Sequence, residues 1–207
     1  LGQGAGLAGN SVVVAWTMQT QTITNVLDVV DTTTGNRPFF LASMGITTAQ
    51  LGLLGRADIY AGYLDIAYYG DPAAPLTSFW VNNQFLPPNV TNPTPLVRVP
   101  SRRIPLLATL PNVGVKPPGG WPIVIFQHGI TLDRTVMFAM ADSFAQAGFA
   151  VIAIDLPLHG VRNTASPFYQ GPNSPFGNNE RHFNLDNVGA TGVFTPDGQI
   201  DNGWQIL

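Results

Sequence analysis

Apolar residues form only short and weak patterns in the first quarter of the chain. β-branched residues cluster at positions 11–19, which predicts a strand. A short helix is predicted from Thr22 or Thr24, with its exit into a loop at residues 31–35. A second short helix is predicted over residues 46–54, because threonines stand near its start and glycines near its end. These signals indicate small elements before any large sheet.

The pattern changes at residue 57. Residues 57–69 carry apolar side chains at alternate positions, which predicts a strand, and residues 103–110 predict another. Between them, residues 71–100 are rich in Pro and Asn and are expected to hold at most one helical turn. We therefore divide the chain into an N-terminal module, residues 1–56, and a larger domain, residues 57–207.

A strand–helix–strand unit stands out within the larger domain. Residues 122–127 form a continuous apolar run, typical of a strand buried on both faces. Residues 136–146 repeat apolar positions every four residues, with Asp142 on the polar face, and Gly148 is expected to end this helix. Residues 149–156 form a second apolar strand. The unit predicts two parallel strands joined by a right-handed crossover, with strand 149–156 left open on one side.

The rest of the chain, residues 161–207, is rich in Asn and Gly and too long for an ordinary connection. We expect an irregular insertion or lid there. Within it, Asp197-Gly-Gln-Ile-Asp201 resembles half of a calcium loop, but a solvated turn is the favoured interpretation because the spaced ligands of a complete loop are missing. The whole pattern predicts the α/β class, with an incomplete mixed sheet preceded by a small N-terminal module.

Composition excludes several classes of function. Charged residues are 10% of the 207, and the net charge of −3 leaves no basic surface for nucleic acid. The chain has no cysteine, which removes disulfides, thiolate chemistry and cysteine zinc sites. We expect no cofactor and no metal, and no apolar run reaches the roughly 20 residues that a transmembrane helix needs.

Both strands of the crossover unit end in a His-Gly pair. The first runs into His128-Gly129-Ile130 and the second into Asp155-Leu-Pro-Leu-His-Gly160. This arrangement resembles the start of the α/β-hydrolase core. Further segments make the chain similar to the N-terminal half of bacterial extracellular lipases of the virulence-factor, Pla-1/cef-like type: Trp16-Thr, Ala57-Asp-Ile-Tyr60, Pro75-Leu-Thr-Ser-Phe-Trp80 and Gly119-Gly-Trp-Pro122.

The resemblance implies a role for the loop after the first strand. In that fold this loop supplies one backbone N–H of the oxyanion hole, which maps here to Ile130. Gly129 would let the backbone approach the substrate, and His128 would brace the loop through hydrogen bonds. The alternative is that His128-Gly129 only makes a tight turn.

The nucleophile of this fold lies in a Gly-x-Ser-x-Gly sequence, and the chain has none. The segment at residues 41–45 has Leu in place of the first Gly and is expected to precede the sheet, and Ser143 lies within a predicted helix. The nucleophile, the acid and the catalytic histidine are therefore not expected in this chain, which should be inactive alone.

Two functions from different classes remain. The resemblance implies the N-terminal part of a serine carboxylester hydrolase that is secreted or lies on the bacterial cell surface. Its expected substrate is a lipid or ester, and its expected partner is the C-terminal part of the same protein. Self-association is expected when that part is missing. The alternative is a non-catalytic secreted domain for binding or assembly, with Tyr68, Tyr69 and Trp80 as exposed contact residues.

Overall fold

The computed structural model describes residues 24–177, 179–189 and 194–202. The predicted strand at residues 11–19 lies outside these ranges. The described part has a five-stranded mixed sheet in the order β1-β2-β3-β5-β4. In chain order the elements are α1 (Thr24–Thr34), β1 (Phe39–Thr47), β2 (Ala57–Tyr68), β3 (Val99–Pro111), β4 (Ile123–Gln127), α2 (Phe138–Gln146) and β5 (Ala150–Ile154). No helix among the described residues is long and apolar enough to cross a membrane.

Helix α1 continues through residues 31–34, where an exit into a loop is predicted. The hydroxyls of Thr32 and Thr33 bond to the carbonyls of Asp28 and Val29, at 2.9 and 2.6 Å. Threonine can bond in this way one turn back and remain helical. The helix ends before Gly35, whose φ is +59°.

Strand β1 is not predicted by the sequence pattern, and the expectation that residues 41–45 precede the sheet is wrong. These residues are part of β1, which pairs antiparallel with β2. The helix predicted at residues 46–54 is a single 3-10 turn, Thr48–Leu51, because Ile46 and Thr47 still belong to the strand. The domain boundary at residue 56 stays a prediction, with β1 forming part of the same sheet as the later strands.

The predicted strands β2 and β3 form the long antiparallel centre of the sheet, and β4 and β5 pair in parallel as predicted. Helix α2 packs against β3 and β5. Gly148 follows this helix with φ +81°, as its predicted role requires. The core under α2 contains buried residues from every layer: Ile59, Leu107, Met137, Phe138, Val151, Ala153 and Phe168.

Asp142 of α2 does not face solvent as predicted. Its carboxylate accepts hydrogen bonds from Thr48 Oγ1 and from the backbone N–H groups of Leu54 and Arg56. Burial opposes ionisation here, but these hydrogen bonds hold the pKa of Asp142 below its ordinary value. The side chain ties α2 to the segment before β2. The helical period correctly places Asp142 on the polar face of α2. The expectation that this side chain is solvated is wrong.

The open edge on this side of the sheet is β4, and not strand 149–156 as predicted. β5 lies between β3 and β4, so both of its sides are paired. β4 is also not buried on both faces: Ile123 and Ile125 are 61% and 76% exposed, whereas Val124 and Phe126 pack against the core. The described residues therefore leave an apolar face and an unpaired edge on the same strand.

Candidate functional site

One edge of the sheet gathers the ends of three strands. β4 and β5 are parallel, and β2 runs in the same direction because both β2 and β5 are antiparallel to β3. The carboxyl ends of β2, β5 and β4 consequently meet at this edge. Ligands of open α/β sheets bind at such an edge.

The turn after β4 contains Gly129, Ile130, Thr131 and Leu132. The N–H of Leu132 donates to Gly129 O at 3.3 Å and closes the turn. Thr131 has φ +76°, which is rare for a β-branched residue and strains the backbone. Within the part of the chain that the structure describes, the N–H of Ile130 donates no hydrogen bond, and the residue is 53% exposed. The turn thus presents one backbone donor to solvent.

The ring of His128 connects this turn to the end of β5. It is buried, with Nδ1 2.8 Å from Gly129 O and with Nε2 accepting the N–H of Leu156 at 3.1 Å. Because Nε2 accepts, the proton of the neutral ring lies on Nδ1 and is donated to Gly129 O. Nε2 also lies 3.6 Å from Asp155 Oδ1, but its lone pair already has a donor. With both nitrogens occupied, this ring is not available as a general base.

Asp155, which directly follows β5, bonds to the segment just after this turn. Its carboxylate accepts the backbone N–H of Arg134 at 2.7 Å and also the Nη1 of the Arg134 side chain. Both side chains are fully buried. The connection from β4 to α2 is therefore attached to the end of β5 by a charged, buried contact.

Arg134 and Glu180 extend this contact into the irregular segment. Glu180 accepts hydrogen bonds from Nη1 and Nη2 of Arg134, at 2.9 and 2.7 Å, and from the N–H groups of Val161 and Gln170. Burial alone would lower the pKa of Arg134, but the charges and hydrogen bonds of the two carboxylates raise it. The guanidinium therefore stays charged. Sequence analysis missed this pair, although Glu180 is the single Glu of the chain.

The other two histidines are bonded to backbone. His182 is buried, with Nε2 3.2 Å from Val161 O and Nδ1 accepting the N–H of Asn184 at 3.0 Å, and burial lowers its pKa. His159 Nδ1 lies 2.9 Å from Pro157 O. No histidine of the described residues bonds to a serine or threonine hydroxyl. The described ranges also hold no group of three metal-ligating side chains.

Two cavities open near this edge. One, of about 540 Å³, lies beside the start of the connection to α2 and is lined by residues including Asp133, Phe138 and Phe168. The other, of about 410 Å³, lies between the ends of β2 and β5. Tyr68 and Tyr69 line the second cavity. Neither is exposed as predicted, because Tyr68 is half-buried and Tyr69 is 8% exposed and packs on Trp80, whereas Trp80 itself is exposed, at 42%.

Residues 100–185 match the family model of platelet-activating factor acetylhydrolase, isoform II. The matched segment contains the turn with Ile130 and the Asp155–Arg134–Glu180 contact. This match supports a lipase- or esterase-type hydrolase, and together with the mixed sheet it confirms the predicted α/β-hydrolase-like fold class. It gives no support for the narrower bacterial extracellular lipase family. Neither a curated protein nor a solved structure matches the chain.

Proposed function

We propose that this chain is the N-terminal part of a serine carboxylester hydrolase and supplies one oxyanion donor, the N–H of Ile130. The observation that carries the proposal is this N–H, which has no acceptor among the described residues and lies in a strained turn. Both ends of the turn are fixed: His128 bonds to Gly129 at its start, and Asp155 bonds to Arg134 just after its end. An oxyanion donor must be in place before charge develops on the carbonyl oxygen, since reorganisation during the reaction would cost rate. The role of Gly129 is to leave room for the ester: a Cβ there would contact nothing within 4 Å in the described structure.

The nucleophile, the acid and the catalytic histidine are proposed to lie outside these 207 residues. In the complete enzyme a serine attacks the ester carbonyl, a histidine takes its proton and returns it to the leaving alcohol, and Ile130 N–H stabilises the oxyanion. The family name denotes the removal of an acetyl group, so short acyl esters of lipids are the first substrates to test.

The remaining part of the protein is proposed to pair with the open edge of β4. Its exposed Ile123 and Ile125 would be covered there. When that part is missing, the same edge and face favour self-association. A secreted or cell-surface location remains a prediction from the sequence.

Serine labelling separates the parts of this proposal. A fluorophosphonate should label the complete enzyme at a serine in a Gly-x-Ser-x-Gly sequence, and the complete enzyme should hydrolyse 4-nitrophenyl acetate. The 207-residue chain alone should show neither labelling nor turnover. Labelling of any serine within the chain, such as Ser43 or Ser143, would place the nucleophile here and contradict the proposal. An unlabelled, inactive complete protein would favour the non-catalytic alternative.

A further inference from the structure

The cavity between β2 and β5 has an apolar wall and a basic floor; we call it the arginine cavity. Its volume is about 410 Å³, within the range of small-molecule sites. The wall is formed by side chains from β2, from the excursion that follows it and from the turn after β5: Ile66, Tyr68, Tyr69, Leu76, Trp80 and Leu158. Tyr69 and Trp80 pack at a tilt, with ring centroids 4.9 Å apart.

Arg181 lines this cavity and is only 7% exposed. Its Nη1 donates to Asp155 O, but its Nε is fully buried without a hydrogen-bond partner in the described structure. No carboxylate lies within ion-pair distance of it, among the described residues. A buried donor without an acceptor costs about 1–3 kcal/mol, and the cost is larger for a charged group. Burial accordingly lowers the pKa of Arg181.

Arg102 adds a second cation, which is half-buried and lies next to Tyr68, one of the residues that line the cavity. Its guanidinium lies over the rings of Tyr68 and Phe183, at 5.1 and 4.6 Å from their centroids, and its Nε is also buried without a partner. The two arginines repel each other enough that Arg102 contributes to the lowered pKa of Arg181.

The charges around the cavity do not cancel. The carboxylates of Asp155 and Glu180 are balanced by Arg134 and Arg181 together. Arg98 and Asp71, 4.0 Å apart at the rim, balance each other. Arg102 is left over, so the surroundings carry an excess of one positive charge.

We propose that the arginine cavity binds a monoanionic oxygen headgroup, a carboxylate or a phosphodiester, on an apolar body. The guanidinium of Arg181 lines the cavity, only its Nη1 has a partner among the described residues, and it donates to one oxygen. Arg102 adds positive charge from beside Tyr68, and the apolar body lies against Tyr69, Trp80 and Leu158. A buried guanidinium with unused donors beside an aromatic wall matches such a ligand in both charge and polarity.

Calorimetric titration of the chain with three probes tests this site. Octanoate presents the carboxylate, dibutyl phosphate presents the phosphodiester, and octanol is a neutral control of the same length as octanoate. We expect at least one anion to bind at least tenfold more tightly than octanol. Whichever anion binds more tightly identifies the source of the headgroup, and both results support the proposal.

Arginine variants assign the binding to this cavity. Arg181→Met should weaken anion binding at least tenfold, the scale of one charged hydrogen bond, and Arg102→Met should weaken it severalfold. The control is Arg103→Met on the same strand, whose guanidinium pairs with Asp65 at the surface, and it should bind as the unchanged chain does. If Arg181→Met fails to fold by circular dichroism, Arg102→Met carries the test.

Equal binding of octanol and both anions would overturn the proposal, as would unchanged affinity in the folded arginine variants. The test needs no turnover. A failure here therefore leaves the ester hydrolase proposal standing, and a failure of serine labelling leaves this one standing.

Discussion

The turns after β4 and β5 both contain His-Gly, yet the structure uses them in opposite ways. In the turn after β5, Leu156 donates its N–H to His128 Nε2, Leu158 donates to Arg181 O at 3.0 Å, and His159 donates to Leu156 O at 3.1 Å. In the turn after β4, the N–H of Ile130 has no acceptor in the described structure. The turn after β5 uses these three donors within the protein, and the turn after β4 keeps one donor free.

The glycines of the two turns show the same difference. A Cβ at Gly160 would lie 2.5 Å from Glu180 Oε2, whereas a Cβ at Gly129 would meet nothing within 4 Å. The turn after β5 is packed against the buried ionic contact, and the turn after β4 faces open space. The same two-residue motif therefore indicates stability in one place and access in the other.

The largest expected effect comes from the contact that holds both turns. Arg134→Met leaves Asp155 and Glu180 buried without their common partner, which should cost about 3–5 kcal/mol of unfolding free energy. Urea unfolding monitored by circular dichroism measures it. Arg103→Met, which removes an exposed pair with Asp65, is the control and should cost far less, because solvent screens the charges of a surface pair. Equal losses in the two variants would show that the buried contact does not hold the turns.

A smaller effect should separate the two glycines. Gly160→Ala should lower the unfolding free energy by about 1–3 kcal/mol because the new methyl group overlaps the Glu180 carboxylate. Gly129→Ala should change it by less than about 0.5 kcal/mol. The same urea titration compares them directly. If Gly129→Ala destabilised the chain as much as Gly160→Ala, the turn after β4 would be a structural element like its counterpart.

Apolar patterns in the sequence predicted β2, β3, β4, β5 and α2. β2 shows alternation, β4 and β5 are continuous apolar runs, and α2 has a helical repeat. These patterns missed β1, an edge strand whose Phe39 and Phe40 are exposed and whose pattern is interrupted at Gly45. Strand order was also beyond them: the place of β5 between β3 and β4 depends on long-range pairing and not on local pattern.

The candidate site likewise has one part that the sequence predicts and one part that it does not. The His128-Gly129-Ile130 sequence is local and could be found by motif. The contact of Arg134 with Asp155 and Glu180 joins residues 21 and 46 positions apart, and nothing near Arg134 in the chain indicates its partners. Low charge content was the one available signal, since a single Glu in a chain with so few charges is a candidate for a buried pair.

The role of Ile130 can be measured in the complete enzyme by removing its N–H, with side-chain variants that keep the N–H as controls. Ile130 is the second residue of a turn whose third residue has positive φ, a position that Pro occupies readily. Ile130→Pro should therefore fold, and it should lower kcat by about two to three orders of magnitude with little change in KM. Ile130→Ala and Ile130→Val keep the N–H and should retain most of the activity. A folded Ile130→Pro enzyme with near-normal kcat would contradict the account and leave the first His-Gly turn with a structural role alone.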